Sequence, residues 1–325
     1  MNRVRSVLRP AVRRLKRMIP RRPGPAILMY HRVAEESFDP WGMAVGRAHF
    51  AEQAEWLARN RKVLPLVEFA AAHRAGKLPG DAVAITFDDG YACTFTTAEP
   101  ILDHLGLPAT VFVPVAPLQE GGEFWWDELE NLVLEFRGSA LTLDNEEVML
   151  GHQTAADRDW PRYAAPRTQR QKAFRKLWSM IRRKRGEEVQ LAMADLRRQA
   201  DRTPAARASH RIASVQELRS STIESGCHGL THASLPQLSG ADTRREIREG
   251  KALLATLIGR EPKTFSYPFG DFDAAVRDSV AADEFVCACA SRHTFVRPDA
   301  DDFALPRLVV EDGGARALER MLSGR

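Results

Sequence analysis

The 325-residue sequence has no apolar stretch that approaches the roughly 18 residues needed to cross a bilayer, which excludes a membrane-spanning protein. It also has few cysteines. The four that occur are Cys93, Cys227, Cys287 and Cys289, and they include no C-x-x-C pair, so a zinc finger and a disulfide scaffold are excluded. Hydrophobic residues make up 44% of the chain and charged residues 28%, which indicates a globular protein whose buried thiols stay free, as in a reducing compartment.

Acidic residues are absent from positions 1–22, which carry nine of the 47 basic residues. The rest of the chain has 38 basic and 43 acidic residues, so its body lacks the basic face of a nucleic-acid-binding domain. Arginines interrupt every apolar run of this arm, and we therefore expect no secretory signal and a cytoplasmic location. The helical spacing of its apolar residues favours either a basic helix lying on the anionic inner face of a membrane or an unstructured tail.

Seven apolar segments alternate with amphipathic ones. The apolar segments predict strands at 26–31, 82–88, 109–114, 222–228, 263–267, 284–290 and 305–310. The amphipathic segments predict helices at 47–60, 66–75, 94–106, 241–258 and 272–282. Continuous apolar strands are typical of parallel sheets covered on both faces, and seven of them favour a closed barrel in an α/β fold. Residues 123–212 interrupt the alternation with helical patterns around a polar segment. We interpret them as a helical insertion in one domain, 26–325, which follows a basic arm, 1–25.

Polar residues follow several of the predicted strands, at the end of a parallel barrel where active sites form. His228 and His232 are four residues apart, and on a helical turn they would project to one side. With one carboxylate, two imidazoles form an open site for zinc or another transition metal. Asp88 and Asp89 precede Gly90, whose turn would bring both carboxylates into one cleft, one to bind metal and one to take a proton. Taken alone, each pattern is better explained by its alternative, two surface histidines in one case and a turn with solvated aspartates in the other.

Three motifs in this order, TFDDG (86–90), HGLTH (228–232) and YPFG (267–270), resemble those of the polysaccharide deacetylases with a NodB homology domain, carbohydrate esterase family 4. The segments ILMYHRV (27–33) and LPATVFV (107–113) are similar to the bacterial exopolysaccharide branch of that family. The resemblance implies a deformed (β/α) barrel. It also implies a metal-dependent hydrolase that removes N-acetyl groups from an acetamido sugar of a surface polysaccharide or its precursor.

The resemblance also implies roles for individual residues. Asp88 would be the general base. Asp89, His228 and His232 would bind a divalent metal, for which zinc is the first expectation and other transition metals are alternatives. The third motif would line the cleft with Tyr267, Pro268, Phe269 and Gly270, and the backbone N–H of Phe269 would bind the oxyanion. Such a site polarises an amide carbonyl, and the base takes a proton from the attacking water.

The sequence departs from the family pattern at several positions. Ser266 stands where an arginine usually orients the base, and Gly229 stands where the second motif usually has Ser or Thr. Arg307 replaces the late histidine that protonates the leaving amine. Because arginine stays protonated, Arg307 would instead hold a carboxylate or bind an anionic substrate. His31, which ends the first strand, is then the candidate acid, with a structural role as the alternative.

Other sources of that proton are His293 and Asp88 itself. Trp125 and Trp126 predict either core packing, which we favour, or a wall for stacking a sugar ring. Two further functions stay open, an O-acetyl esterase on the same scaffold and a catalytically silent carbohydrate-binding relative. Retention of the base together with the metal ligands argues against the silent relative. The expected partner is an acetylated carbohydrate, and no nucleic acid is expected.

Overall fold

Parallel strands form the centre of the computed structural model, which describes residues 24–201 and 207–324. In chain order the strands are β1 (Ala26–Tyr30), β2 (Arg32–Val33), β3 (Ala44–Val45), β4 (Lys62–Val63), β5 (Ala82–Phe87), β6 (Ala109–Val113), β7 (Ala140–Leu143), β8 (Glu146–Met149), β9 (Glu224–Cys227), β10 (Thr264–Ser266), β11 (Cys287–Ala290), β12 (Leu305–Pro306) and β13 (Leu308–Val309). Within the same residues the α-helices are α1 (Arg47–Asn60), α2 (Leu66–Arg74), α3 (Glu99–Leu105), α4 (Val115–Glu120), α5 (Trp125–Glu135), α6 (Gln169–Ile181), α7 (Gly186–Ala200), α8 (Val215–Ser220), α9 (Gly240–Ile258), α10 (Ala274–Ala281) and α11 (Ala315–Leu322). The predicted helix at 94–106 begins with a π-helical turn, Thr94–Ala98, before α3.

The main sheet has the strand order β12-β11-β10-β9-β6-β5-β1-β13, β4 joins one end of β5, and all of these pairs are parallel. β12 pairs with β11 at one edge, and β13 pairs with β1 at the other. Because only Arg307 separates β12 from β13, one short segment joins the two edges and nearly closes the barrel. The predicted α/β barrel is therefore confirmed, and each of the seven predicted strands lies in this sheet.

Alternate residues of the barrel strands face its two sides. Leu28 and Ile85 belong to the large hydrophobic cluster beneath the outer helices, whereas Ile27, Ala84 and Phe112 belong to a second cluster. Every residue of β1 and β5 is buried, as expected for strands covered on both faces. No helix in the described part of the chain is both long enough and apolar enough to span a membrane. The predicted basic segment 1–22 lies outside the described residues.

The insertion has its own hydrophobic core, in which Leu129, Phe174, Leu177 and Leu196 are buried. It is less purely helical than expected, because its polar segment contains the antiparallel hairpin β7–β8. Asp144 and Asn145 connect the two strands with φ values of +54° and +61°. Such left-handed pairs form the two-residue turns that match the twist of a hairpin, and aspartate and asparagine tolerate them well.

Candidate metal centre and active site

The two aspartates of the first motif point to different partners because the backbone turns sharply after β5. The N–H of Asp88 still donates to the carbonyl of Tyr30 at 2.9 Å and so extends the strand ladder. Asp89 and Gly90 then adopt φ values of +72° and +75°. The left-handed conformation costs about 1–3 kcal/mol at a residue other than glycine, and such strain concentrates at functional sites. The turn leaves Asp88 against the barrel interior and directs Asp89 toward the histidines of the second motif.

Asp89, His228 and His232 form a buried triad. The Asp89 Oδ1 atom lies 3.5 Å from Nε2 of His228 and 3.2 Å from Nε2 of His232. One ligand atom from each residue lies within 4.8 Å of the other two. His232, like Asp89, has a left-handed backbone, with φ at +60°. The structure therefore brings the three sequence-predicted metal ligands together at one point.

The protonation of the triad fits a bound cation. The Nδ1 atom of His228 lies 2.7 Å from the carbonyl oxygen of Ser266 and donates to it, which leaves Nε2 of the same ring facing Asp89. Burial lowers the pKa of His232, which favours its neutral form. Burial opposes ionisation of Asp89, but its contacts with the two imidazoles outweigh that effect and lower its pKa. A carboxylate and nitrogen lone pairs that converge away from water are the donor set of a divalent transition metal.

Glu246 on α9 fixes the loop between the two histidines. Its carboxylate accepts hydrogen bonds from the backbone N–H groups of Leu230 and Thr231, at 3.0 and 2.9 Å, and from the Thr231 hydroxyl at 2.6 Å. Gly229 has a φ of +80°, which explains glycine at this departure from the family pattern. Sequence reasoning missed Glu246, because nothing in the sequence marks a carboxylate within a long amphipathic helix as a loop anchor.

Arg307 holds Asp88. Its two terminal nitrogens donate to the two carboxylate oxygens, each at 2.6 Å, and one of them also donates to the Ser266 hydroxyl at 2.9 Å. The guanidinium is fully buried, and its Nη1 lies 3.3 Å from the Thr86 hydroxyl. Of the two roles predicted for Arg307, the structure shows the carboxylate contact. Arg307, which lies between β12 and β13, thus makes the contact with Asp88 that the family pattern assigns to an arginine at position 266.

The pairing also determines the charge of Asp88. Burial alone would raise the pKa of this carboxyl, but the adjacent guanidinium of Arg307 outweighs burial and lowers it. Asp88 is therefore an ionised carboxylate at neutral pH, which a general base requires. His31 follows β1, is half-buried, and is close enough to Asp88 and Asp89 to influence both carboxyls electrostatically.

The third motif folds into a 3₁₀ turn, Pro268–Gly270, beside the triad. The turn's own hydrogen bonds run from Gly270 N–H to the Tyr267 carbonyl and from Asp271 N–H to the Pro268 carbonyl, and so leave out the N–H of Phe269. Phe269 has a φ of +58°, and its ring lies 4.5 Å from that of His232. Phe269 therefore lines the cleft beside the metal ligands, where its N–H is available to a ligand.

Other residues that the sequence marked as candidates for the active site have structural contacts instead. The Tyr267 side chain is buried, its hydroxyl donates to the Phe303 carbonyl at 2.7 Å, and its ring stacks on Phe272. It is therefore not a cleft residue. The Nδ1 atom of His293 accepts a hydrogen bond from the N–H of Val309 at 2.9 Å, which ties it to the closing strand of the barrel. Gly270 is required where it stands, because a Cβ atom there would lie 2.5 Å from that of Ser291.

The two tryptophans at the start of α5 differ in their surroundings. Trp126 is buried, stacks on Phe124, donates from Nε1 to the Tyr91 hydroxyl at 3.1 Å, and lies 4.7 Å from the His232 ring. Trp125 is half-buried and faces a cleft of about 800 Å³. This cleft begins at His232 and Phe269 and continues between α4 and the α6–α7 corner of the insertion. The core role thus holds for Trp126, whereas Trp125 has a surface open to a ligand.

The sequence profile of the family described as polysaccharide deacetylase matches residues 75–133 and 201–287. A poly-beta-1,6-N-acetyl-D-glucosamine N-deacetylase of Escherichia coli strain K12 is 39% identical over 90 residues, which are 27% of this chain and 13% of that protein. The chain therefore matches only a small part of that relative's length. The gap between the two profile matches falls within the predicted insertion.

Two solved structures extend the comparison to nearly the whole chain. The Streptococcus pyogenes deacetylase PplD in complex with acetate has a TM-score of 0.57 at 16% identity, covering 92% of this chain and 99% of that one. The structure of IcaB from Ammonifex degensii has a TM-score of 0.51 at 18% identity, covering 93% and 98%. At such identities the likeness establishes the NodB-like barrel fold. The motifs and the profile match show that the chain belongs to the polysaccharide deacetylase family.

Proposed function

We propose that this protein is a metal-dependent hydrolase that removes N-acetyl groups from an acetamido sugar of a glycan. The observation that carries the proposal is the buried set of Asp89, His228 and His232 beside an ionised Asp88 that Arg307 holds in place. This set supplies a cation site, with a base at the adjacent position of the chain, next to the cleft that His232 and Phe269 line. A purely carbohydrate-binding relative would have no need of the base, which argues against that alternative.

A bound divalent ion, with zinc the first expectation, would polarise the acetamide carbonyl and acidify water. Asp88 accepts the proton of the attacking water, because its carboxylate is ionised and fixed by the Arg307 fork. The N–H of Phe269 donates to the oxygen that gains negative charge. His31 delivers a proton to the leaving amine, a role supported by its place at the end of β1 and its influence on both carboxyls.

The choice of an N-acetylated glycan rests on the relatives. The Escherichia coli relative is described as acting on poly-beta-1,6-N-acetyl-D-glucosamine, and we propose a similar amino-sugar polymer, or its precursor, for this chain. The match covers only a small part of that protein, so the present site has to be tested directly. An O-acetyl esterase uses the same residues and is the competing reaction.

The test is acetate release by the full chain after loading with Zn²⁺, measured on N-acetylglucosamine oligomers and on O-acetylated xylan in parallel. We expect release from the N-acetylated oligomers and one bound metal per chain by elemental analysis. Asp88→Asn is the matched control, because it should keep the metal and lose turnover. Faster release from the O-acetylated glycan would replace the proposal with the esterase. Absence of release from both by a metal-loaded chain would support the silent relative.

A further inference from the structure

The two histidines of the triad differ in what holds their rings. His228 donates from Nδ1 to the carbonyl oxygen of Ser266 at 2.7 Å. The Nδ1 atom of His232 is buried too, but within residues 24–201 and 207–324 it has no hydrogen-bond partner. A metal-binding histidine almost always donates from its second nitrogen, because that bond fixes the direction of the ligating nitrogen. The orientation of the His232 ring therefore depends on other contacts.

Aromatic rings surround the His232 imidazole. Its centroid lies 4.7 Å from that of Trp126 and 4.5 Å from that of Phe269, at interplanar angles of 47° and 79°. The His228 ring lies 4.8 Å away at 72°. Tilted and edge-to-face contacts at such distances are attractive, and a closely packed interior resists the rotation of rings. The positions of the neighbouring rings thus determine where Nε2 of His232 points.

Trp126 is held in turn by two consecutive hydrogen bonds. Its Nε1 donates to the Tyr91 hydroxyl at 3.1 Å, and that hydroxyl donates to Oδ2 of Asp127 at 2.7 Å. All three residues are buried. Breaking either bond would leave a buried polar group unpaired, and a hydroxyl that donates to a carboxylate is also polarised toward its own donor. The plane of the indole is therefore fixed by polar contacts of the kind that His232 lacks.

The same hydrogen bonds join the insertion to the barrel. Tyr91 directly follows the first motif, whereas Trp126 and Asp127 lie on α5 of the insertion. The guanidinium carbon of the buried Arg32 lies 5.6 Å from the centre of the Tyr91 ring, and Arg207 donates to the backbone carbonyl of Asp127 at 2.8 Å. These contacts hold α5 against the loop that carries the first motif. The insertion thus reaches the metal ligands through Trp126.

We propose that Trp126 and Tyr91 are positioning residues of the metal centre. The indole of Trp126 sets the orientation of the His232 ring, and the Tyr91 hydroxyl sets the orientation of the indole. Packing thereby does for His232 what the Ser266 carbonyl does for His228. The inference rests on the proposed function, because it concerns the metal ligands assigned there.

The Zn²⁺ affinity of the full chain, measured by competition with a chromogenic chelator, tests the inference without turnover. Tyr91→Phe removes only the hydroxyl, and Trp126→Phe keeps an aromatic ring but removes the N–H. Each should raise the Kd for Zn²⁺ by about tenfold to hundredfold, the usual effect of losing a group that orients a ligand. The visible absorption spectrum of the Co²⁺-loaded variants should also change, because it depends on ligand geometry. An unchanged Kd and spectrum in both variants overturn the inference.

Tyr30→Phe is the matched control for the loss of a buried hydroxyl. The Tyr30 hydroxyl donates to Oε1 of Gln53 at 2.9 Å, in the hydrophobic cluster beneath the outer helices. In urea unfolding of the metal-free chains it should destabilise the fold about as much as Tyr91→Phe does, whereas its Kd for Zn²⁺ should equal that of the wild type. An equal rise of the Kd in Tyr30→Phe would show that lost stability alone weakens metal binding, which overturns the inference.

The double variant Tyr91→Phe/Trp126→Phe tests whether Tyr91 acts through the indole. Because the two residues share one hydrogen bond, the Kd of the double variant should be close to that of Trp126→Phe alone. A Kd that rises by the product of the two single effects would mean that the residues act independently, and contradicts the proposal. If Trp126→Phe does not fold, the comparison of Tyr91→Phe with Tyr30→Phe decides the question.

Acetate release by the zinc-loaded wild type separates this inference from the proposed function. Release from N-acetylated oligomers, together with an unchanged Kd for Zn²⁺ in the variants, leaves the deacetylase proposal intact and removes the positioning role. Weaker Zn²⁺ binding by the variants, with no release by the wild type, has the opposite meaning. Release by the wild type and weaker Zn²⁺ binding by the variants support both.

Discussion

The guanidinium of Arg307 donates one hydrogen bond to each carboxylate oxygen of Asp88, both at 2.6 Å, although the two residues are 219 positions apart in the chain. This fork fixes the direction of the carboxylate and keeps it ionised inside the barrel. A lysine would supply the charge but not the second, parallel hydrogen bond. The chain thus orients the proposed base with an arginine that lies between β12 and β13, where the family resemblance places a histidine.

Replacing Arg307 by Gln should raise the pKa of Asp88, because burial then acts without the opposing guanidinium. The acid limb of the kcat profile should move to higher pH, and kcat at neutral pH should fall on the order of 10²-fold. An unpaired buried carboxylate also costs about 3–5 kcal/mol of stability, measured by urea unfolding. Arg307→Lys is the control, because lysine keeps the positive charge but not the second hydrogen bond. Its acid limb should return close to the wild-type pH, whereas its kcat should stay lower than that of the wild type. An unshifted acid limb in Arg307→Gln would contradict the role of base for Asp88.

Replacing Asp88 and Asp89 individually by asparagine should have different effects on zinc content and on kcat. Asp89→Asn removes an anionic ligand, and elemental analysis should find much less than one zinc per chain. Asp88→Asn should retain zinc while kcat falls by about 10²–10⁴-fold, the usual contribution of a general base. Zinc should raise the melting temperature of the wild type and of Asp88→Asn, but not of Asp89→Asn. Equal zinc content in the two variants would remove Asp89 from the ligand set.

His31→Ala should lower turnover more than metal content, because we propose that His31 protonates the leaving amine and does not bind the metal. A loss of about 10²–10⁴ in kcat is expected for a general acid. His104, on α3 in the outer layer, offers a matched His→Ala control that should keep full turnover. Unchanged turnover in purified His31→Ala would exclude His31 from the mechanism and leave Asp88 to return the proton.

His210 should make the fold sensitive to acid. Burial, followed by the charges of Arg32 and Arg207, lowers its pKa to about 2, whereas an unfolded histidine titrates near 6.5. The unfolded state therefore binds the proton first, and the stabilising effect of neutral His210 is lost as pH falls below about 6.5. His210→Gln should gain stability over the wild type between pH 6.5 and 4, by at most about 3 kcal/mol in urea unfolding.

His49 provides the control of opposite sign. Its hydrogen bond to Asp312 raises its pKa, so its contribution is present at low pH and is lost as pH rises. His49→Gln should therefore lose stability relative to the wild type as pH falls, and only slightly, because the pair is exposed to solvent. Parallel behaviour of the two variants would show that the buried environment of His210 does not set its titration.

The basic segment 1–22 predicts attachment to anionic membranes. Each Lys or Arg near such a surface contributes about 1 kcal/mol. The full chain should sediment with vesicles containing phosphatidylserine, and less so in high salt or with neutral vesicles. Deletion of residues 1–22 should abolish sedimentation. Equal binding by the deleted chain would assign the segment no role on membranes.

The barrel and its metal triad could be predicted from the sequence because their signals are local. Buried parallel strands are continuous apolar segments, and the ligands directly follow strand ends. The hairpin β7–β8 was missed because its strands are short and polar on their exposed sides. The contacts of Glu246 and Arg307 depend on tertiary packing. The sequence alone therefore did not decide whether Arg307 holds a carboxylate or binds an anionic substrate. Tyr267 was expected in the cleft with its motif, but its side chain packs in the core.

The closing segment Leu305–Val309 has a consequence for biosynthesis. The metal ligands are all translated once residue 232 is added, but the barrel lacks its last strand, and Asp88 its counter-ion, until Arg307 follows. Chains that terminate shortly before this codon would leave Asp88 without its counter-ion and β1 with an unpaired edge, a form prone to aggregation and proteolysis.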